Sequence, residues 1–179
     1  MASPIICIVG KKKSGKTTFM EKLVPELKAL GISVGTIKHD AHSFEMDHEG
    51  KDSWRHRKAG AETVVVSSPT KIAMIKTVEH EMSLSELAEC LFADRHLILA
   101  EGFFRSDQPK IEVHRKEAHD EPLCTSQNEG DMGLIAMITN ADTDTDKPVF
   151  GLGDAKDVAA WLARRYRGWV QDGMWSRRD

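Results

Sequence analysis

Residues 9–18 read Val-Gly-Lys-Lys-Lys-Ser-Gly-Lys-Thr-Thr, between the apolar run 4–9 and a segment of helical periodicity. Gly10 to Thr17 satisfies GxxxxGK[ST] without a gap. Glycines let the chain turn tightly enough for several backbone N–H groups to converge, and the helix that follows adds the positive end of its dipole. Convergent donors of this kind suit the phosphates of a nucleoside triphosphate. On this reading Gly10, Lys11, Lys13, Ser14, Gly15, Lys16, Thr17 and Thr18 form the cradle. Lys16 is expected to reach the β- and γ-phosphates, and the Thr17 hydroxyl to join the shell of a Mg²⁺ ion. The charges of Lys12 and Lys13 raise the local anion concentration.

The rest of the chain supplies a context for such a loop. The β-branched run 4–10 predicts a fully buried strand. Phe19, Met20, Leu23, Leu27 and Leu30 then recur at helical spacing, with Pro25 as an expected kink and Gly31 as the stop. Strands are predicted over 32–39, 63–68, 71–78, 96–102, 110–115, 133–140 and 148–152. Helices are predicted after Asp52 or Ser53 as caps, over 83–93 with Ser83 and Glu86 as a capping box, and over 154–167 capped by Asp154. Strands alternating with helices predict a three-layer α/β P-loop sandwich with a mostly parallel sheet. The segments 63–78 and 110–115 are expected to add antiparallel strands, 110–115 as a half-exposed one. One domain is expected over 1–167. The tail 168–179 has no clear period and is expected to be partly disordered.

Composition narrows the partners. The 179 residues carry a net charge of -3, which argues against a general nucleic-acid or membrane-surface binder. No apolar run is long enough for a membrane span, and the N-terminus lacks the layout of a signal peptide. The three cysteines are widely spaced with no CxxC pair, which suits a reducing, cytoplasmic setting. Cys7 and Cys90 are expected to pack in the core.

A phosphate loop needs a carboxylate near its metal. The strand run Leu-Ile-Leu-Ala ends in Glu101, and a hydrated Mg²⁺ accepts a Glu there through a water. After the second strand, His39, His42, His48, Asp40, Asp47 and Asp52 lie close together in sequence. A switch-like loop is one reading, in which Asp40 or Asp52 orients water or magnesium. A soft-metal site through the histidines and a plain solvated loop are the others. Lys38, beside His39, is placed to contact an anionic ligand. Guanine is commonly read by an Asp after a late strand, and Thr139-Asn140-Ala141-Asp142 keeps only the final Asp of that pattern.

Taken together, GKKKSGKTT, GTIKHDAHSFEMDHEGKDSWRHRKAGA and LILAEGF resemble the molybdopterin-guanine dinucleotide biosynthesis protein B family over most of residues 4–166. The resemblance implies a GTP-binding P-loop protein with weak intrinsic hydrolysis, usually a homodimer. Such a protein assists the guanylyltransferase that joins GMP to molybdopterin, and molybdopterin itself is a further candidate ligand. Residues Gly10 to Thr18 match the family's phosphate loop and Glu101 its acidic strand end. Lys38, His39, His42, Asp52 and Ser53 match its middle motifs, and Asp142 falls where a base-reading Asp belongs. Lys11 occupies the position where related dimeric GTPases carry a lysine that reaches the neighbour's nucleotide. Two other functions fit the same residues. One is a nucleotide-dependent adapter without significant catalysis. The other is an ATP-dependent small-molecule kinase, with Arg-His-Arg-Lys (55–58) as an arginine-rich lid.

Overall fold

The computed structural model describes residues 3–40, 44–124 and 133–171. In chain order the elements are β1 (Ile5–Val9), α1 (Lys16–Ala29), β2 (Val34–Lys38), α2 (Asp52–Lys58), β3 (Thr63–Ser68) and β4 (Lys71–Lys76). They continue with α3 (Leu84–Leu91), β5 (Leu97–Glu101), β6 (Lys110–Val113), β7 (Leu134–Ile138), β8 (Val149–Phe150) and α4 (Ala155–Gln171). The chain divides into two compact units, one of residues 1–39 and 84–179, the other of residues 40–83.

The larger unit is built on a six-stranded sheet of order β2-β5-β1-β6-β7-β8, and every pairing in it is parallel. Parallel strands covered on both faces must be apolar on both, and the five residues of β1 are all buried. Ile6 and Ile8 face one core with Leu23 and Leu27 of α1 and Val158 and Leu162 of α4. Ile5, Cys7 and Val9 face a second core with Leu84 and Ala88 of α3. Helices therefore cover both faces, and the three-layer P-loop architecture is that expected. Pro25 lies within one continuous α1, where the leucines on either side of it stay buried. The closing helix runs beyond 167 to Gln171, and the rest of the tail lies outside the described residues.

Strand β6 differs from expectation. It is neither antiparallel nor half-exposed, but a fully buried parallel strand between β1 and β7. Its polar residues are buried with partners. The Lys110 ammonium is 1% exposed and donates to the carbonyls of Ser106 at 2.6 Å and Gln108 at 3.1 Å. The Glu112 carboxylate accepts the backbone N–H groups of Leu123 and Cys124. The stretch from 117 thus tucks Cys124 into the core, and 125–132 lies outside the described residues.

The smaller unit holds α2 and the antiparallel pair β3–β4, a sheet separate from the main one. Lys51, not Asp52 or Ser53, stands at the N-cap of α2. Ser53 instead donates to Asp47 at 2.8 Å, and Arg57 reaches Glu45 at 2.8 Å. Strand pairing sets Val65 opposite Met74 and Ser67 opposite Ile72 on one face of the hairpin. Val65, Ile72 and Met74 on that face are 54%, 72% and 45% exposed.

Cys90 is exposed rather than packed in the core, on the outer face of α3, while Cys7 and Cys124 are buried. Burial pushes the Cys7 thiol up, against a smaller lowering from its contact with Ser106. Since the thiolate is the reactive form, maleimide at mildly alkaline pH is expected to label Cys90 alone in the folded chain. Mass spectrometry should find all three labelled after denaturation, and rapid labelling of native Cys7 would contradict the packing described.

Candidate functional site

The loop between β1 and α1 stands at the C-terminal end of the central strand, the place where open α/β sheets bind ligands. Gly10 has φ 142°, and a Cβ there would lie 2.3 Å from the Val113 carbonyl oxygen at the end of β6. Lys13 at the crest holds φ 65°, a left-handed conformation that a non-glycine residue adopts only under constraint. Gly15 caps α1 with φ 97° and leaves the first turn of the helix without a side-chain cap. Orphan N–H groups of that turn therefore remain available.

Four side chains converge on the loop. The Lys16 ammonium donates to the carbonyls of Gly10 at 2.9 Å and Lys11 at 3.0 Å, lying along the loop it belongs to. Burial lowers its pKa, Glu101 opposes that shift, and Lys38 adds to it. The Thr17 hydroxyl donates to both oxygens of Glu101, at 2.9 and 3.1 Å. Ser14 is buried, and among the described residues its Oγ has no hydrogen-bond partner. An orphaned buried hydroxyl beside uncapped N–H groups and a desolvated ammonium is a donor set suited to an anion.

Strand pairing delivers the acid. β5 lies beside β1 and β2 beside β5, so Lys38 is in register with Glu101. The His39 N–H donates to the Glu101 carbonyl at 3.0 Å, and its ring stands 4.8 Å from that of Phe103. Asp40 is the first residue of the second unit, and His42 lies outside the described residues. Among the described residues no group of three His, Cys, Asp or Glu side chains is placed to hold a metal ion. Arg57 of the candidate lid is engaged by Glu45 and Asp47 within its own unit.

The loop is braced by residues outside the glycine-lysine motif. Buried His114 bonds Thr139 Oγ1 at 2.9 Å and the His119 carbonyl at 2.8 Å. His119 Nε2 in turn bonds the Lys12 carbonyl at 2.6 Å, fastening the turn after β6 to the crest of the loop. Asn140 is used similarly, accepting from the Lys116 N–H at 3.0 Å and donating to Glu117. Asp142 is exposed beyond it. Lys11 lines a cavity of about 460 Å³ with residues 116–121. The alternation of polar residues in β6 was the available signal for this bracing.

A parallel α/β sheet with this loop between its first strand and helix defines a P-loop protein. The family model for molybdopterin guanine dinucleotide synthesis protein B matches residues 5–140. The chain belongs to that family, which places it in the biosynthesis of the molybdenum cofactor. The molybdopterin-guanine dinucleotide biosynthesis adapter protein of Haemophilus influenzae is 36% identical over 162 residues, 89% of this chain and 87% of that protein. Its Escherichia coli counterpart is 32% identical over 171 residues, 94% of each. A crystal structure of molybdopterin-guanine biosynthesis protein B superposes with TM-score 0.72 at 28% identity, covering 89% of this chain and 98% of the other. That of Bacillus subtilis MobB gives 0.68 at 29% identity, covering 91% and 97%. Among the described residues no helix is long and apolar enough to cross a membrane.

Proposed function

We propose that this chain is a GTP-binding adapter of molybdopterin guanine dinucleotide synthesis, with slow, partner-dependent hydrolysis. The observation that carries the reading is the convergence of the Lys16 ammonium, the Thr17–Glu101 pair and the orphaned Ser14 hydroxyl on one glycine-hinged loop. Thr17 and Glu101 are the residues that would hold Mg²⁺, which when bound neutralises charge on the phosphates. Lys16 then exchanges two carbonyl partners for phosphate oxygens, a stronger charge-assisted bond. Asp142 is the residue proposed to read guanine. Turnover would rest on positioning and electrostatics.

The names of the relatives support the adapter role, with a guanylyltransferase as the expected partner. A homodimer is proposed as well. The apolar face of the β3–β4 hairpin, with Ile72 72% exposed, is a surface that association would cover.

Calorimetric titration with GTP and ATP, each with and without Mg²⁺, tests the reading. GTP is expected to bind at least about tenfold tighter than ATP, a difference of about 1.4 kcal/mol. Equal affinity removes the guanine assignment. Thr17→Ala is expected to abolish the tightening by Mg²⁺, and an unchanged Mg²⁺ dependence would remove the metal role of Thr17.

A further inference from the structure

Arg115, the second residue after β6, lies beside the head of α1. Its guanidinium is 3.5 Å from the point where a Cβ on Gly15 would stand. Among the described residues no carboxylate lies within ion-pair distance of it. Glu117, two positions on, is held below the usual carboxylate range first by its bond to Asn140 Nδ2 at 2.7 and 2.9 Å, with Arg115 as a smaller, longer-range contribution. A guanidinium here faces the positive end of the helix dipole, an arrangement that costs energy unless an anion lies between them.

The position is also built. His114, immediately before, is locked to Thr139 and to the His119 carbonyl. The Arg115 carbonyl accepts the N–H groups of Ala118 and His119 at 3.0 and 3.1 Å, closing the turn. His119 then ties that turn to the Lys12 carbonyl. The backbone that carries the arginine is therefore fixed on both sides of it. Its planar fork matches two phosphate oxygens at once.

We propose that Arg115 is a phosphate-binding residue of this site, supplied from the end of β6 to the α- and β-phosphates held beside Gly15; the proposal rests on the nucleotide-binding reading above. The loop's own lysine lies at the other end of the cradle, along Gly10 and Lys11. Two cations would then bracket the phosphate chain, Lys16 from within the loop and Arg115 from the neighbouring strand.

The test is calorimetry with GTP and GDP in the presence of Mg²⁺, on the unaltered chain and on Lys16→Ala, Arg115→Ala and Arg115→Lys. Arg115→Ala is expected to weaken GTP and GDP by a similar factor, roughly tenfold or more. Arg115→Lys keeps the charge but loses the fork, and should fall between. The nucleotide-free melting temperature of Arg115→Ala should be unchanged or raised, because removing a cation from the helix head relieves repulsion, and that of Arg115→Lys, which keeps the charge, should be unchanged. Affinities in Arg115→Ala equal to those of the unaltered chain, with Lys16→Ala inactive in binding, would overturn this proposal alone. A loss confined to GTP would overturn the assignment to the α- and β-phosphates. Weakened binding with a lowered melting temperature, not rescued by Arg115→Lys, would overturn it in favour of a structural role. Absence of nucleotide binding by the unaltered chain would overturn the nucleotide-binding reading itself and this proposal with it.

Discussion

Lys16→Ala is expected to weaken GTP binding by about 100-fold or more, equivalent to roughly 2.7 kcal/mol. The ammonium already lies along the loop, bonded to the Gly10 and Lys11 carbonyls, so little of it has to be ordered when a phosphate arrives. Removing it should cost about 1 kcal/mol or less of nucleotide-free stability, the scale of an ordinary hydrogen bond. The proton balance gives a second readout. Burial holds Lys16 below the ordinary lysine value, so on the alkaline side the folded chain binds fewer protons than the unfolded one. Nucleotide-free stability from this group therefore rises with pH between the lowered value and the ordinary one. A bound phosphate favours the charged form, so binding in that window should take up protons. Calorimetry in two buffers of different ionisation heat would detect the uptake, and Lys16→Ala should abolish it. Unchanged GTP affinity in that variant would overturn the assignment of the loop.

Gly10→Ala is the other change expected to have a large effect, and for a different reason. A methyl group there would stand 2.3 Å from the Val113 carbonyl oxygen and 2.8 Å from Ser14 Oγ, at φ 142°. The obstacle is backbone on a fully buried strand, which cannot swing aside as a side chain can. The expected cost is about 3 kcal/mol or more, combining a forbidden dihedral with overpacking. For a domain of this size that is roughly 6–12 °C in Tm. Nucleotide binding should fall as well, because the loop can relieve the clash only by moving off β6. A variant that melts within about 1 °C of the original would show that the loop does not pack on β6 as described.

The loop and its acidic partner were legible in the sequence because they depend on fixed spacing and on runs that are apolar throughout. Gly10 to Thr17 and the strand ending in Glu101 needed no knowledge of distant neighbours. Strand β6 was misread for the opposite reason. Lys110, Glu112 and His114 alternate with Ile111 and Val113, and that alternation ordinarily marks a face turned to water. Here the polar face is turned inward and satisfied by carbonyls at 106, 108 and 119 and by N–H groups at 123 and 124. Those partners come from loops whose positions local pattern does not specify. Cys90 failed similarly, since helical spacing does not fix how far a short helix is covered. The α2 cap failed because Ser53 had a stronger local partner in Asp47 than the helix N–H groups. Arg115 carried no motif at all, and only the adjacency of β6 to β1 brings it to the loop.

That adjacency also sets an order of events during synthesis. β1 is made well before both its sheet neighbours: Ile5 pairs with Ile98 and Ile8 with Ile111. A nascent chain that has emerged only as far as α3 possesses the glycine-lysine loop but neither flanking strand, and it lacks the Val113 carbonyl on which Gly10 rests. Non-local pairing of this kind is slow to close. The loop is synthesised well before the strands that shape it, so capture of a nucleotide by a growing chain would mark the moment at which β6 has docked.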